Sequence, residues 1–314
     1  MTRFVPNLLR AAAATRPASL NRMSPRPRSL LAGAGACALA FLALLGLAYG
    51  SDWARWVDAA SLQGFLGLQG PTSSPVAGHV ASLGDPLQVG LIGGGLALVA
   101  LARGRPRIAA FVIALLALTS VSSQALKALL AYPRHDPAIG TTFIAPEAFP
   151  SGHATASMAL AIALVVVVPQ RLRPAAAVVG AALAIGVSFS IVASGWHFPS
   201  DVVGGYLLAT GWALVLLAGV RLTQARYPER HLRGRLAAGV RTATERAAAV
   251  GLATVLAALG AAMAALALAV IAFRLPELME YARAHTAFTA VAGAVSLSAV
   301  GLLALLTAAM TRRS

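Results

Sequence analysis

Eight apolar runs, each near the length of a bilayer crossing, divide this chain and leave it few folds to choose from. A helix needs about 20 apolar residues to span the hydrocarbon core. Runs of that order cover residues 30–50, 86–102, 108–131, 151–169, 175–194, 201–220, 247–273 and 287–310. Backbone in lipid must satisfy its own hydrogen bonds, which a helix does within one segment. The expected fold is therefore all-α: a polytopic membrane helix bundle of about eight transmembrane helices. With 58% hydrophobic and only 11% charged residues, the chain is too apolar for a soluble domain of ordinary composition.

A net charge of +15 raises the question of a nucleic-acid partner, and the placement of the charge answers it. The arginines fall in short segments between apolar runs, as orientation in a membrane requires, and not on one continuous face. Residues 1–29 hold six arginines and no acid, and read as a basic cytoplasmic tail. Alternating sides from there puts 20 of the 25 basic residues on the inner side, with Glu229 and Glu245 the only acids among them. Both termini are then expected in the cytoplasm, with no nucleic-acid partner. Run 30–50 is long for the apolar part of a signal peptide and is read as a retained anchor. The single cysteine, Cys37, allows no intrachain disulfide.

Between the first two runs, residues 51–85 turn polar and rich in glycine and proline. Trp53, Trp56, Val57 and Ala60 there stand at helical spacing, so a short interfacial helix is expected. The segment 221–246 is strongly basic and is expected to meet anionic headgroups inside. Residues 247–314 form a two-helix extension whose small-residue faces suit helix packing or contacts between copies, so a homo-oligomer stays open.

The residues with chemical potential gather on the other, outer side. Lys127 lies about one turn from the end of the third run, and it is the one lysine among 25 basic residues, the other 24 being arginine. A compact ammonium is not interchangeable with a guanidinium. Arg134 follows seven residues later, past Pro133. Taken singly, Lys127 reads equally as a snorkelling side chain and Arg134 as a solvated loop charge. Pro150-Ser151-Gly152-His153 opens the fourth run, where free amides and the helix dipole attract an anion. Ser151 is placed to cap that helix or to bond a phosphate oxygen. His197 and Asp201 stand four apart across Pro199, so that the carboxylate can orient one imidazole nitrogen and leave the other as a nucleophile. Asp201 is equally placed to cap its own helix.

Together these residues resemble the signature of the type 2 phosphatidic acid phosphatase superfamily of lipid phosphatases. That family carries a lysine followed seven residues later by arginine, then Pro-Ser-Gly-His, then Ser-Arg, five residues, His, three residues and Asp. Lys127 and Arg134 match the first motif, residues 150–153 the second, and Ser190, His197 and Asp201 the third. The resemblance implies a six-span phosphatase core over residues 30–220. It also implies a metal-independent hydrolase with no cofactor, acting on a lipid phosphate or pyrophosphate in the membrane at the outer leaflet. In that reading His197, oriented by Asp201, attacks phosphorus; His153 is the general acid and base; Lys127, Arg134, Ser151 and Gly152 hold the phosphoryl oxygens.

Two departures qualify the match. His135 stands where proline usually follows the arginine, and Ile191 stands where the third motif has its own arginine. An apolar side chain offers no bidentate contact to phosphate, so either Lys127, Arg134 and the helix-start amides bind it alone, or another residue such as His135 or Arg55 substitutes, or activity is reduced. Two alternatives follow: a phosphotransferase using the same histidine, and a catalytically weak protein that binds lipid phosphate.

Overall fold

The computed structural model describes residues 27–134, 143–226 and 273–311, with scattered positions between 250 and 265. The expected basic tail, His135, most of the basic loop 221–246 and most of the run 247–273 lie outside the described residues. Among the described residues these helices carry the fold: α1 Pro27–Gly50, α2 Asp52–Leu66, α3 Ser73–Ser82, α4 Pro86–Ala102, α5 Pro106–Leu129, α6 Gly152–Val167, α7 Arg173–Ala193, α8 Pro199–Arg226 and α9 Thr286–Thr311. Residues 273–284 are helical as well. The class is all-α, as the apolar runs require.

Among the described residues six helical segments are long and apolar enough to cross a membrane: α1, α5, Pro146–Val167, Gln170–Ala193, α8 and α9. The chain is an integral membrane protein. The expected second span, α4, is too short by itself and qualifies only together with α3, from which it bends by 52°. The count of eight is thus not reached among the described residues. The interfacial segment holds two helices where one was expected. In the first of them, α2, Trp53 and Trp56 are exposed, as an aromatic belt at a membrane surface would have them.

Proline sets where the helices begin. It occupies the first or second position of α4, α5 and α7, where a missing N–H costs nothing. Pro199 opens α8, and the Asp201 carboxylate reaches back to accept from the Phe198 amide at 2.8 Å, a capping-box contact.

The bundle is built around α6. It is apolar on every side and 78% of its membrane window is buried, against 17% for α1. Small residues let its neighbours approach. A Cβ on Gly180 of α7 would stand 2.8 Å from the Ala161 Cβ. One on Gly205 of α8 would stand 2.8 Å from Thr155 Oγ1 and 2.9 Å from both the Ser151 carbonyl oxygen and the Thr155 amide. Side-chain hydrogen bonds in the interior join α8 to α7 and to α5. Tyr206 of α8 donates to the Ala184 carbonyl at 2.9 Å and to Ser188 Oγ at 2.8 Å, and Trp212 donates to Ser122 Oγ at 3.0 Å.

At the far end of α6 its last carbonyls are met by cations. Arg103 donates to the Val167 carbonyl, and Arg105 donates to it at 3.0 Å. That placement favours the helix dipole. Arg173 likewise donates to the Met310 carbonyl at 3.3 Å and ties α9 to the core.

Because two of its three close neighbours are backbone atoms, Gly205 leaves little room for repacking. Gly205→Ala is expected to force α8 off α6 and to destabilise by about 1–3 kcal/mol. A lower thermal midpoint in detergent would register this, while Gly219→Ala, with nothing within 4 Å, should leave the midpoint unchanged.

Candidate active site

The start of α6 and the start of α8 are joined before any side chain is considered: the Ser151 amide donates to the Asp201 carbonyl at 3.0 Å. Ser151 is fully buried, and its hydroxyl accepts from the Ala154 amide at 3.3 Å, so of the two expected roles capping is the one observed. Its carbonyl takes the Thr155 amide. Among the described residues this leaves the Gly152 and His153 amides as the first-turn donors that no acceptor takes, where a helix start favours an anion. Facing them from α5, Ser123 Oγ and Gln124 Nε2 each lie 3.9 Å from where a Cβ on Gly152 would stand.

Asp201 is wholly buried and is the hub of the site. One carboxylate oxygen accepts from Arg134 Nη2; the other accepts from the Phe198 amide and faces His197 Nδ1 at 3.5 Å. That last separation is at the long edge of a hydrogen bond, and Nδ1 has no other partner among the described residues. His197 is buried, and burial drives its pKa below the ordinary value; Asp201 opposes this only in part, and Lys127 and His153 add to it. The imidazole is accordingly neutral at pH 7, which a nucleophile requires.

Arg134 is placed differently from a free phosphate ligand. Its guanidinium donates to Asp201 and, at 3.0 Å, to Ser200 Oγ, and it stands 3.7 Å from Asp58 Oδ2. It is also stacked between the Tyr49 and Phe198 rings, at 5.1 and 4.5 Å from their centroids. Burial disfavours its charge, but Asp201 and Asp58 outweigh that and the net shift is upward, so Arg134 remains a cation. Lys127 is half-buried near the end of α5, and the acids facing it are Asp201 and Glu147.

His153 has its own acid. Its Nε2 lies 3.0 Å from Asp85 Oδ1, and its ring meets Trp196, the residue before His197, at 5.8 Å. Of the suggested substitutes for the missing arginine, Arg55 is turned away: it pairs with Asp52 and donates to the Tyr49 carbonyl at 2.7 Å. Ile191 itself is fully buried in the apolar core. Among the described residues no three His, Cys, Asp or Glu side chains converge as a metal set would.

Two acids escaped the sequence reading. Asp85 ends a polar loop and reads as a helix cap. Asp58 reads as the polar side of an interfacial helix, yet it is buried and accepts from Ser200 twice, from the amide at 3.0 Å and from the hydroxyl at 2.5 Å. An apolar cavity of about 200 Å³ reaches Asp58 and Ser200 from the side of α9, but no cation lines it, so it does not suit a phosphate.

Burial pushes the Asp58 carboxyl from 3.8 up to about 6, with Asp201 adding to the rise and the Ser200 bonds and Arg134 opposing it. The folded state then binds the Asp58 proton more tightly than the unfolded chain does. Its contribution to stability is largest below 3.8 and is lost as pH rises to about 6. Asp58→Asn should remove that dependence. Thermal midpoints in detergent across this window should show the variant gaining on the wild type as pH rises.

Residues 106–224 match the family model described as the PAP2 superfamily. Among solved structures, the chain is similar to a transmembrane PAP2-type phosphatidylglycerolphosphate phosphatase from Bacillus subtilis. The identity is 20% and the TM-score 0.45, over 64% of this chain and 99% of that one. No curated protein matches. The stretch that matches the PAP2 superfamily model contains Lys127, Arg134, the Pro-Ser-Gly-His turn, Ser190, His197 and Asp201.

Proposed function

We propose that this protein is a membrane phosphatase that hydrolyses a lipid phosphate or pyrophosphate at the outer leaflet through a phosphohistidine. The observation that carries the reading is His197: buried, with a carboxylate on its Nδ1 side and the other ring nitrogen left for attack, in surroundings that disfavour its charge. In the first step His197 Nε2 bonds to phosphorus, the bond from phosphorus to the lipid oxygen breaks, and His153 gives that oxygen a proton. In the second, water attacks phosphorus, the N–P bond breaks, and His153 takes the water proton. The sum is lipid phosphate plus water to lipid alcohol plus phosphate.

Lys127 and the Gly152 and His153 amides are the groups best disposed to take phosphoryl oxygens, since charge-assisted donors and helix-start amides suit a dianion. Arg134 contributes its charge from behind Asp201, and Ser151 fixes the turn. The outward direction is supported by the charge pattern. Arg103 and Arg105 lie at the end of α6 opposite to His153, and basic residues mark the cytoplasmic side.

A second reading is favoured by one pair of observations: Ile191 puts no cation in the site, and Arg134 is engaged by two acids. A protein that holds lipid phosphate and turns it over slowly or not at all would look the same. Saturable binding of a lipid phosphate without release of inorganic phosphate would favour it over hydrolysis.

The test is phosphate release from a panel of lipid phosphates by the purified protein. His197→Ala should lower kcat by at least about 10³-fold, as loss of a nucleophile does; unchanged turnover would overturn the mechanism. Because His197 must be neutral and is shifted down, the acid limb of kcat/KM should fall below 6.5, the ordinary histidine value. A limb above that value would contradict the assignment.

A further inference from the structure

We propose that Asp85 is a positioning residue for His153, making the acid–base histidine one half of a second histidine–carboxylate pair beside His197 and Asp201. The inference rests on the phosphatase reading for its chemistry and on four independent observations for its geometry. The first is the contact, with His153 Nε2 3.0 Å from Asp85 Oδ1 across 68 positions of sequence. The second is that Asp85 occupies the cap position of α4 yet makes no side-chain cap bond. An aspartate there ordinarily accepts from its own helix; this one turns its carboxylate to the imidazole instead.

The third is the space made for the ring. A Cβ on Gly84 would stand 2.9 Å from His153 Cδ2 and 3.1 Å from His153 Cβ, so the backbone before Asp85 closes one side. The fourth is Trp196, whose ring lies 5.8 Å from the imidazole. Gly84 and Asp85 sit at the 52° break between α3 and α4, so the bend is what brings the carboxylate within reach.

An ionised Asp85 accepts from Nε2–H, which fixes the tautomer and leaves Nδ1 as the nitrogen that carries the moving proton. As the lipid oxygen leaves phosphorus, the Nδ1 proton passes to it and the ring becomes neutral, still bonded through Nε2–H to Asp85. When water attacks, Nδ1 takes the water proton and the imidazolium that forms is stabilised by the Asp85 charge. A positioned carboxylate supports both halves in this way without itself exchanging a proton. The titratable groups around His153 are Asp85 from the α3–α4 break, His197 from the loop before α8, and Lys127 of α5, which faces His197.

The experiment compares wild type, Asp85→Asn and Asp85→Glu in detergent, with phosphate release from a lipid phosphate and the ring ¹⁵N chemical shifts of His153, which report its tautomer, as readouts. Asp85→Asn should lower kcat on the order of tenfold or more with KM nearly unchanged. The His153 ring shifts should at the same time lose the Nε2–H tautomer as the dominant form. Asp85→Glu should restore part of both. The proposal is overturned if Asp85→Asn keeps the wild-type tautomer, or if kcat rises, which would make Asp85 a resting-state latch. It is equally overturned if loss of activity is not rescued in part by glutamate. The ring shifts need no turnover, so a wild type that releases no phosphate would defeat the phosphatase reading while leaving the Asp85–His153 pair to be judged by itself.

Discussion

The carboxylate of Asp201 is the point on which the rest of the site depends. It is a buried charge, and a buried charge is tolerated only when paired and hydrogen-bonded. Arg134 supplies the pairing, the Phe198 amide a hydrogen bond, and His197 a facing imidazole. Arg134 comes from the loop after α5 and the other two partners from the loop before α8, so satisfying this one group draws both loops and α8 itself to a single place. The Asp201 carbonyl then takes the Ser151 amide, which fixes the start of α6 against the same point. Removing Asp201 would therefore disturb more than the orientation of His197.

The apolar packing makes that convergence affordable in space. Gly205 lies one turn along α8 from Asp201, and its lack of a side chain is what admits the Ser151 carbonyl and Thr155. Gly204 serves the same end against the Phe149 ring, whose atoms would lie 2.8 Å from a Cβ there. In a membrane, where lipid is as apolar as leucine, such close approach carries much of the helix association. The site is thus set by packing at one end of α6, while Arg103 and Arg105 serve the carbonyls at the other.

Much of this was legible in the sequence, and the reason differs by feature. Apolar run length fixes helices because the bilayer allows little else, so α5, α7, α8 and α9 fall close to their expected limits. His153, His197 and Asp201 were legible because glycine, proline and histidine gather at the boundary of an apolar run for few other reasons. Asp58 and Asp85 were not. Each has an ordinary role in one dimension, an interfacial polar position and a helix cap, and only the fold carries them to Ser200 and His153. The pairing of Arg134 with two acids was hidden for the same reason: spacing of seven from Lys127 says that the two cations share a side, not what each one faces. The expectation of a full span at α4 rested on hydropathy, which does not reveal the 52° bend that separates α4 from α3 or that the two are long enough to cross only when taken together.

The charge around the proposed phosphate site follows from these contacts. Arg134 is matched by Asp201, and Asp58 lies 3.7 Å from the same guanidinium. Were both carboxylates fully ionised, two negative charges would face one buried cation, and the Asp58 carboxyl responds by holding its proton up to about pH 6. The positive charge left over for a phosphoryl dianion is then mainly that of Lys127, the one lysine in the chain. Ile191 removes the cation that the family's third motif would have added, and Arg55, held by Asp52, does not replace it. In the proposed reading, binding of the dianion rests more on dipoles than on charges, on the Gly152 and His153 amides at the start of α6, which lose strength in water and keep it where solvent is excluded. Such a cradle works only while the start of α6 stays fixed, and what fixes it is the Ser151 amide on the Asp201 carbonyl.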